Sequence, residues 1–274
     1  MKTQIFLSGK RTTALLIGLA LFSAVSGCGK TSQINDSAAV PANAPVSDSG
    51  TADGTDAPAD SSTDNEADSN TDANGDTSIH VVAVGDNLVQ QCVYQSAQAH
   101  SQDGTSYNFD YCYDNIKPLI NGDLNIINQE TLICGDGFEV SGSNFNFNSP
   151  TELGDAVVGM GFNVITMCNN HLLDKGESGL NSCLNYWDQK MQQYPDLLTC
   201  GVYRDYVDMQ NIRTKEFNGK TVAFLSYTEN TNGYSLPSNS ELEIIYTSQE
   251  DLIQQQIADD AFSLTDFFIT DFML

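Results

Sequence analysis

Beyond residue 78 the chain repeats one pattern: a short β-branched or apolar run, a polar group at its end, then a stretch with helical spacing. Residues 79–84 (Ile-His-Val-Val-Ala-Val) form the first run and end in Gly85-Asp86. Residues 124–128 (Leu-Asn-Ile-Ile-Asn) form the second and lead into Gln129-Glu130, and residues 162–167 form the third and lead into Cys168-Asn169-Asn170-His171. Helical spacing covers 111–120, 151–160 after Pro150, and 179–191, where Leu180, Leu184 and Trp187 fall on one face. Buried strands alternating with helices predict an α/β fold with parallel pairing. Residues 212–217 and 221–227 flank Asn218-Gly219, a type I′ hairpin signal, so part of the sheet should be antiparallel.

Each of the first three strands thus ends, on its C-terminal side, in a side chain able to bind a metal. In open α/β sheets ligands sit at the carboxyl ends of strands, where loops carry chemistry on a rigid base. Asp86, Glu130, Asn170 and His171 are therefore the candidate catalytic and metal-binding set. Carboxylate and amide oxygens with one imidazole suit Mn²⁺, Zn²⁺, Fe or Mg²⁺ rather than a thiolate-loving ion. Such an ion polarises a phosphoryl or carbonyl oxygen and lowers the pKa of bound water. Asp174, three residues past His171, is placed to orient that imidazole. Taken singly, each residue also has an ordinary role: Gly85-Asp86 as a turn, Glu130 as a cap, Asn169-Asn170 as a left-handed loop, Asp174 as a turn residue before Gly176.

The N-terminal part changes the picture of where the domain works. Lys2, Lys10 and Arg11 precede an apolar run at 14–25, the length of a signal segment and too short for a stable membrane span. Val25-Ser26-Gly27-Cys28 then resembles the bacterial lipobox, in which the signal is cut before a cysteine whose thiol is acylated. Residues 1–27 are read as a lipoprotein signal, Cys28 as the lipidated residue, and 28–78 as an acidic, disordered linker. The stretch from Lys30 to Ser78 is rich in Ala, Ser, Thr, Asp, Asn and Pro, has no aromatic residue and contains one Ile and two Val, so it cannot bury enough apolar surface to offset its ordering entropy. The domain is read as 79–274, long enough for one core.

The net charge of −25 excludes nucleic acid and anionic lipid surfaces as natural partners. Cations are its counter-charges. Six cysteines remain after Cys28 (Cys92, Cys112, Cys134, Cys168, Cys183 and Cys200), with a spacing that matches no metal knuckle or small disulfide scaffold.

Several motifs in order resemble a known family. Val84-Gly85-Asp86, Ile127-Asn128-Gln129-Glu130-Thr131, Phe147-Asn148-Ser149-Pro150, Gly161-Phe162-Asn163-Val164 and above all Asn169-Asn170-His171-Leu172-Leu173-Asp174-Lys175-Gly176 look like those of the capsule synthesis protein CapA family. These are poly-γ-glutamate biosynthesis proteins related to calcineurin-like metallophosphoesterases. The resemblance continues through Cys200-Gly201 and the segment from Tyr227 to Gly233.

It implies a metallophosphoesterase-like sandwich of mixed sheets flanked by helices, with the family's metal-type positions on Asp86, Glu130, Asn170 and His171. The Asp-x-His that opens the parent superfamily's pattern is absent from the family's first strand and from this one; His80 and His100 are read as surface histidines. Family members continue past a helix at about 250–262 into a strand, a His-Trp-Gly and a later Gly-His-x-His-like element. This chain ends at Leu274, so the domain is expected to be truncated. The implied function is capsule or poly-γ-glutamate synthesis or export from the outer face of the cell membrane. Three readings of the domain remain open: a metal-dependent hydrolase, a non-catalytic accessory subunit of a membrane polymer synthase, and an inactive fragment. Its expected partners are the membrane, through the lipid, and an anionic surface polymer or the synthase subunits.

Overall fold

The computed structural model describes residues 3–9, 78–135, 137–143, 146–217, 219–258 and 267–273. The signal-like apolar run, Cys28, the acidic linker up to residue 77, Asn218 of the predicted hairpin turn and the end of the last predicted helix lie outside the described residues. The first half comprises β1 (Thr3–Gly9), β2 (Val81–Asp86), α1 (Gln91–Ala99), α2 (Asp110–Tyr113), a 3-10 turn at Lys117–Leu119, β3 (Leu124–Asn128), β4 (Ser141–Ser143) and β5 (Asn146–Asn148). Then follow α3 (Thr151–Gly159), β6 (Val164–Thr166), α4 (Gly176–Gln193), β7 (Leu198–Cys200), β8 (Val202–Tyr203) and α5 (Tyr206–Gln210). The last elements are β9 (Arg213–Phe217), β10 (Lys220–Thr228), β11 (Glu243–Ile244), α6 (Glu250–Ala258) and β12 (Phe267–Met273).

Two four-stranded sheets form the centre. The first runs β2-β3-β6-β7 and is parallel throughout. The second runs β1-β12-β10-β9 and is mixed: β12 lies parallel to β10, while β1 and β9 pair antiparallel with their neighbours. Strand periodicity sorts side chains between layers. Leu124 and Ile126 of β3 face Val222 and Phe224 of β10, together with Val164 and Leu198, and fill the space between the sheets. Ile127 faces the other way and joins Val157 of α3 and Leu180, Leu184 and Trp187 of α4. On the far side of the second sheet, Ala223, Leu225 and Tyr227 pack with Met209 of α5 and Ile253 of α6. The result is an α/β sandwich of two sheets between helical layers, as expected.

Polar side chains fix the parallel sheet from within. Asn125 is buried in β3, yet its amide is satisfied by Gly122 and by the Gly161 carbonyl. Asn163 accepts from the Asn125 N–H and donates to the Asp123 carbonyl, tying the start of β6 to the start of β3. Gly201 sits at φ +103°, and an added Cβ would lie 2.6 Å from Cys168 Cβ and 2.9 Å from Ser226 Cβ. Only glycine lets the β7–β8 corner pass this close to the loop after β6 and to β10.

Several expectations shift. The predicted helix at 111–120 breaks into α2 and the 3-10 turn, because Pro118 lacks the N–H that a continuous helix would pair with the Asp114 carbonyl. The first strand begins at Val81 and extends through Gly85-Asp86. The hairpin partners β9 and β10 pair antiparallel as predicted. Helix α1 has no counterpart in the hydrophobic pattern, since it buries only Tyr94 and Ala97. His80 and His100 are on the surface. Among the described residues no cysteine is in a disulfide: Cys92 and Cys112 are exposed, and Cys134, Cys168, Cys183 and Cys200 are buried. No described helix is long and apolar enough to cross a membrane.

Candidate functional site

The C-terminal ends of β2, β3 and β6 lie side by side, and their loops are laced by amides. A register shift between Ala83 and Asp86 brings Asp86 opposite Asn128, whose Nδ2 donates to Asp86 Oδ1 at 2.9 Å. Past β3, Gln129 Oε1 accepts from Asn87 Nδ2 at 2.8 Å, and Thr131 Oγ1 accepts from the Val89 N–H at 2.9 Å. The loop after β6 is joined on by Asn169, whose Nδ2 donates to the Gln129 and Met167 carbonyls. Its Oδ1 accepts the His171 N–H at 2.9 Å. Glu130 and His171 are held in fixed relation by this buried lattice, not by a direct bond.

His171 is 3% exposed. Its Nδ1 lies 2.8 Å from Asp174 Oδ2, a contact that orients the ring so that Nε2 faces Glu130 Oε1, 3.8 Å away. Asp174 Oδ2 also accepts the Phe147 N–H at 2.8 Å, and Asn146 Nδ2 donates to the Asp174 carbonyl. The small β4–β5 hairpin therefore carries the residues that hold Asp174. Phe147 packs edge-on to the imidazole, with ring centroids 4.7 Å apart.

Burial raises the Glu130 carboxyl to about 7, reinforced by the Asp86 charge and opposed in part by His171. Glu130 Oε1 and Asn170 Oδ1 are buried acceptors with no hydrogen-bond partner among the described residues. Such oxygens are costly unless something cationic or protic satisfies them. With His171 Nε2 they are oxygen and nitrogen atoms of the type that suits a divalent cation of the Mn²⁺, Zn²⁺, Fe or Mg²⁺ kind.

The five predicted site residues are placed as follows. Glu130, Asn170, His171 and Asp174 are buried at one locus. Asp86 is exposed, is engaged by Asn128, and is near enough for its charge to act on Glu130. Among the described residues no group of three or more His, Cys, Asp or Glu is arranged to hold a metal ion; the donor set relies on the Asn170 amide. Asn232 is the residue that sequence reasoning missed. Its Oδ1 accepts from Asn170 Nδ2 at 3.1 Å, and its Nδ2 lies 3.4 Å from His171 Nδ1. The available signal was Asn232-Gly233, a turn dipeptide shortly after the predicted strand at 221–227.

A parallel sheet packed on a mixed one between helices, with carboxylate, amide and imidazole groups at the strand ends, is a metallophosphoesterase-like fold. Residues 80–265 match the family described as bacterial capsule synthesis protein PGA_cap, and the chain belongs to that family. It is similar to the capsule biosynthesis protein CapA of Bacillus anthracis, 26% identical over 127 residues. That match covers 45% of this chain and 30% of the relative's length.

Proposed function

We propose that this capsule-synthesis family member is a surface-anchored, cation-dependent hydrolase that takes part in making or exporting capsular or poly-γ-glutamate polymer. The observation that carries the reading is that Glu130 Oε1 and Asn170 Oδ1, like Asp174 Oδ1, are buried without a hydrogen-bond partner among the described residues, beside an imidazole fixed by Asp174. A divalent cation held by Glu130, Asn170 and His171 would supply a Lewis acid and a water of lowered pKa. Asp174 orients His171 so that Nε2 faces Glu130, and Phe147 walls the imidazole from one side. Asp86 places a further carboxylate at the mouth of the site, anchored by Asn128. A bound cation would also bridge an anionic polymer to a domain that otherwise repels it.

The lipid on Cys28 and the acidic linker hold the domain outside the membrane, within reach of an emerging polymer. Cleavage ahead of Cys28 would remove the strand Thr3–Gly9 and leave β12 at the edge of its sheet. The test is hydrolysis of an activated phosphodiester by the purified protein with added Mn²⁺. Activity that falls at least about 100-fold in His171→Ala and in Glu130→Gln supports the reading; a folded protein with no Mn²⁺-dependent activity overturns it.

A second reading, an accessory subunit of a membrane polymer synthase, is favoured by the engagement of Asp86 with Asn128, which thins the acidic donor set. Full restoration of surface polymer in a deletion strain by the Asp86→Ala/His171→Ala double variant selects it.

A further inference from the structure

We infer that Asn232 is a positioning residue that fixes the side-chain amide of Asn170 with its oxygen turned into the site. The inference deepens the cation-site reading and rests on it for its consequence, though not for its geometry. After β10 the chain makes a tight turn in which the Tyr234 N–H donates to the Thr231 carbonyl at 3.0 Å. Asn232 at φ +53° and Gly233 at φ +80° occupy its two central positions, the signature of a type I′ turn. Asn232 is the one non-glycine with positive φ among the described residues.

The turn is built in. Asn230 Oδ1 accepts the Asn232 N–H at 2.9 Å, Thr228 Oγ1 donates to the Asn230 carbonyl, and Thr231, 3% exposed, donates to the Tyr234 carbonyl. Glycine would adopt this backbone at no steric cost, whereas asparagine only tolerates it. What asparagine adds is the side chain, which reaches the loop after β6 from 62 residues away in sequence.

One hydrogen bond gives the Asn170 amide its direction. Asn232 Oδ1 accepts from Asn170 Nδ2, so Asn170 Oδ1 is left as the unpartnered acceptor. Asn232 Nδ2 lies 3.4 Å from His171 Nδ1, the nitrogen that also faces Asp174 Oδ2 at 2.8 Å. Turning both amides over would point an N–H₂ of Asn170 into the site, where it would repel a cation. Asn232 thereby decides whether the loop after β6 offers a cation an oxygen or a donor.

Two variants of the full chain test this. Asn232→Gly keeps the turn and deletes the acceptor, and Asn232→Asp keeps an acceptor oxygen in the same place. The Asn170 side-chain amide resonances, followed by NMR without metal, read the positioning directly; Mn²⁺ titration reads its consequence. In Asn232→Gly the Asn170 amide protons should lose their protection and Mn²⁺ affinity should fall about tenfold at unchanged melting temperature. Asn232→Asp should keep both close to wild type. Unchanged Asn170 resonances in Asn232→Gly overturn the inference. Protected resonances in a wild type that binds no Mn²⁺ overturn the cation reading and leave the positioning role in place.

Discussion

Replacing Glu130 with glutamine isolates the electrostatic cost built into the site. The carboxyl is 2% exposed, and burial first, then the Asp86 charge, raise it from 4.5 to about 7 against partial relief from His171, with Asp174 adding a smaller like-charge push. The folded state therefore binds this proton more tightly than the unfolded chain does. Its contribution to stability is fully present below about pH 4.5 and is lost as pH rises through about 7. At 1.36 kcal/mol per unit the loss is on the order of 3 kcal/mol. Glutamine cannot ionise, so in chelator the Glu130→Gln protein should match wild type near pH 4.5 and exceed its stability at pH 8 by about that amount. In melting temperature this is roughly 6–12 °C for a domain of this size. Urea unfolding of both proteins across pH 4.5 to 8 measures it, because titrations common to the two cancel in the difference. Parallel stability curves across the whole range would refute the reasoning. Adding Mn²⁺ at pH 8 should narrow the gap by stabilising wild type more than the variant.

Asp174→Ala should cost about 3 kcal/mol in urea unfolding, since it leaves the Phe147 N–H and His171 Nδ1 buried without that partner. Gly154→Ala should cost about 1–3 kcal/mol, because the new methyl would collide with the Tyr186 ring. Gly159→Ala, which meets nothing within 4 Å, should be neutral or slightly stabilising in the same melt. In the native protein a thiol reagent should modify Cys92 and Cys112 quickly and the four buried cysteines only on unfolding; burial pushes the Cys183 thiol up to about 11.

Local pattern was enough where one face or one strand decided the outcome. The apolar run at 124–128 became β3 with those same limits, because a central strand buried on both sides needs no partner information to be recognised. Leu180, Leu184 and Trp187 are all buried on one stripe of α4, as their spacing required. Helix α1 was invisible because two buried residues in nine leave little period to read. At the site, the strand-end rule singled out Glu130, Asn170 and His171, and the three-residue step Asp174, all four of which are buried. It could not place Asn232 there, because the contact between the turn after β10 and the loop after β6 is a tertiary fact that a local turn signal does not reveal. Nor could spacing show that Asn128 would take hold of Asp86, which follows from the irregular register between β2 and β3.

The most direct measurement is a Mn²⁺ titration of the chelator-treated full chain beside its His171→Ala and Glu130→Gln variants, each checked for native melting behaviour. A cation site formed by Glu130, Asn170 and His171 predicts saturable binding by wild type, weakened at least about tenfold in each variant. No binding by wild type, or equal binding by all three, would contradict it.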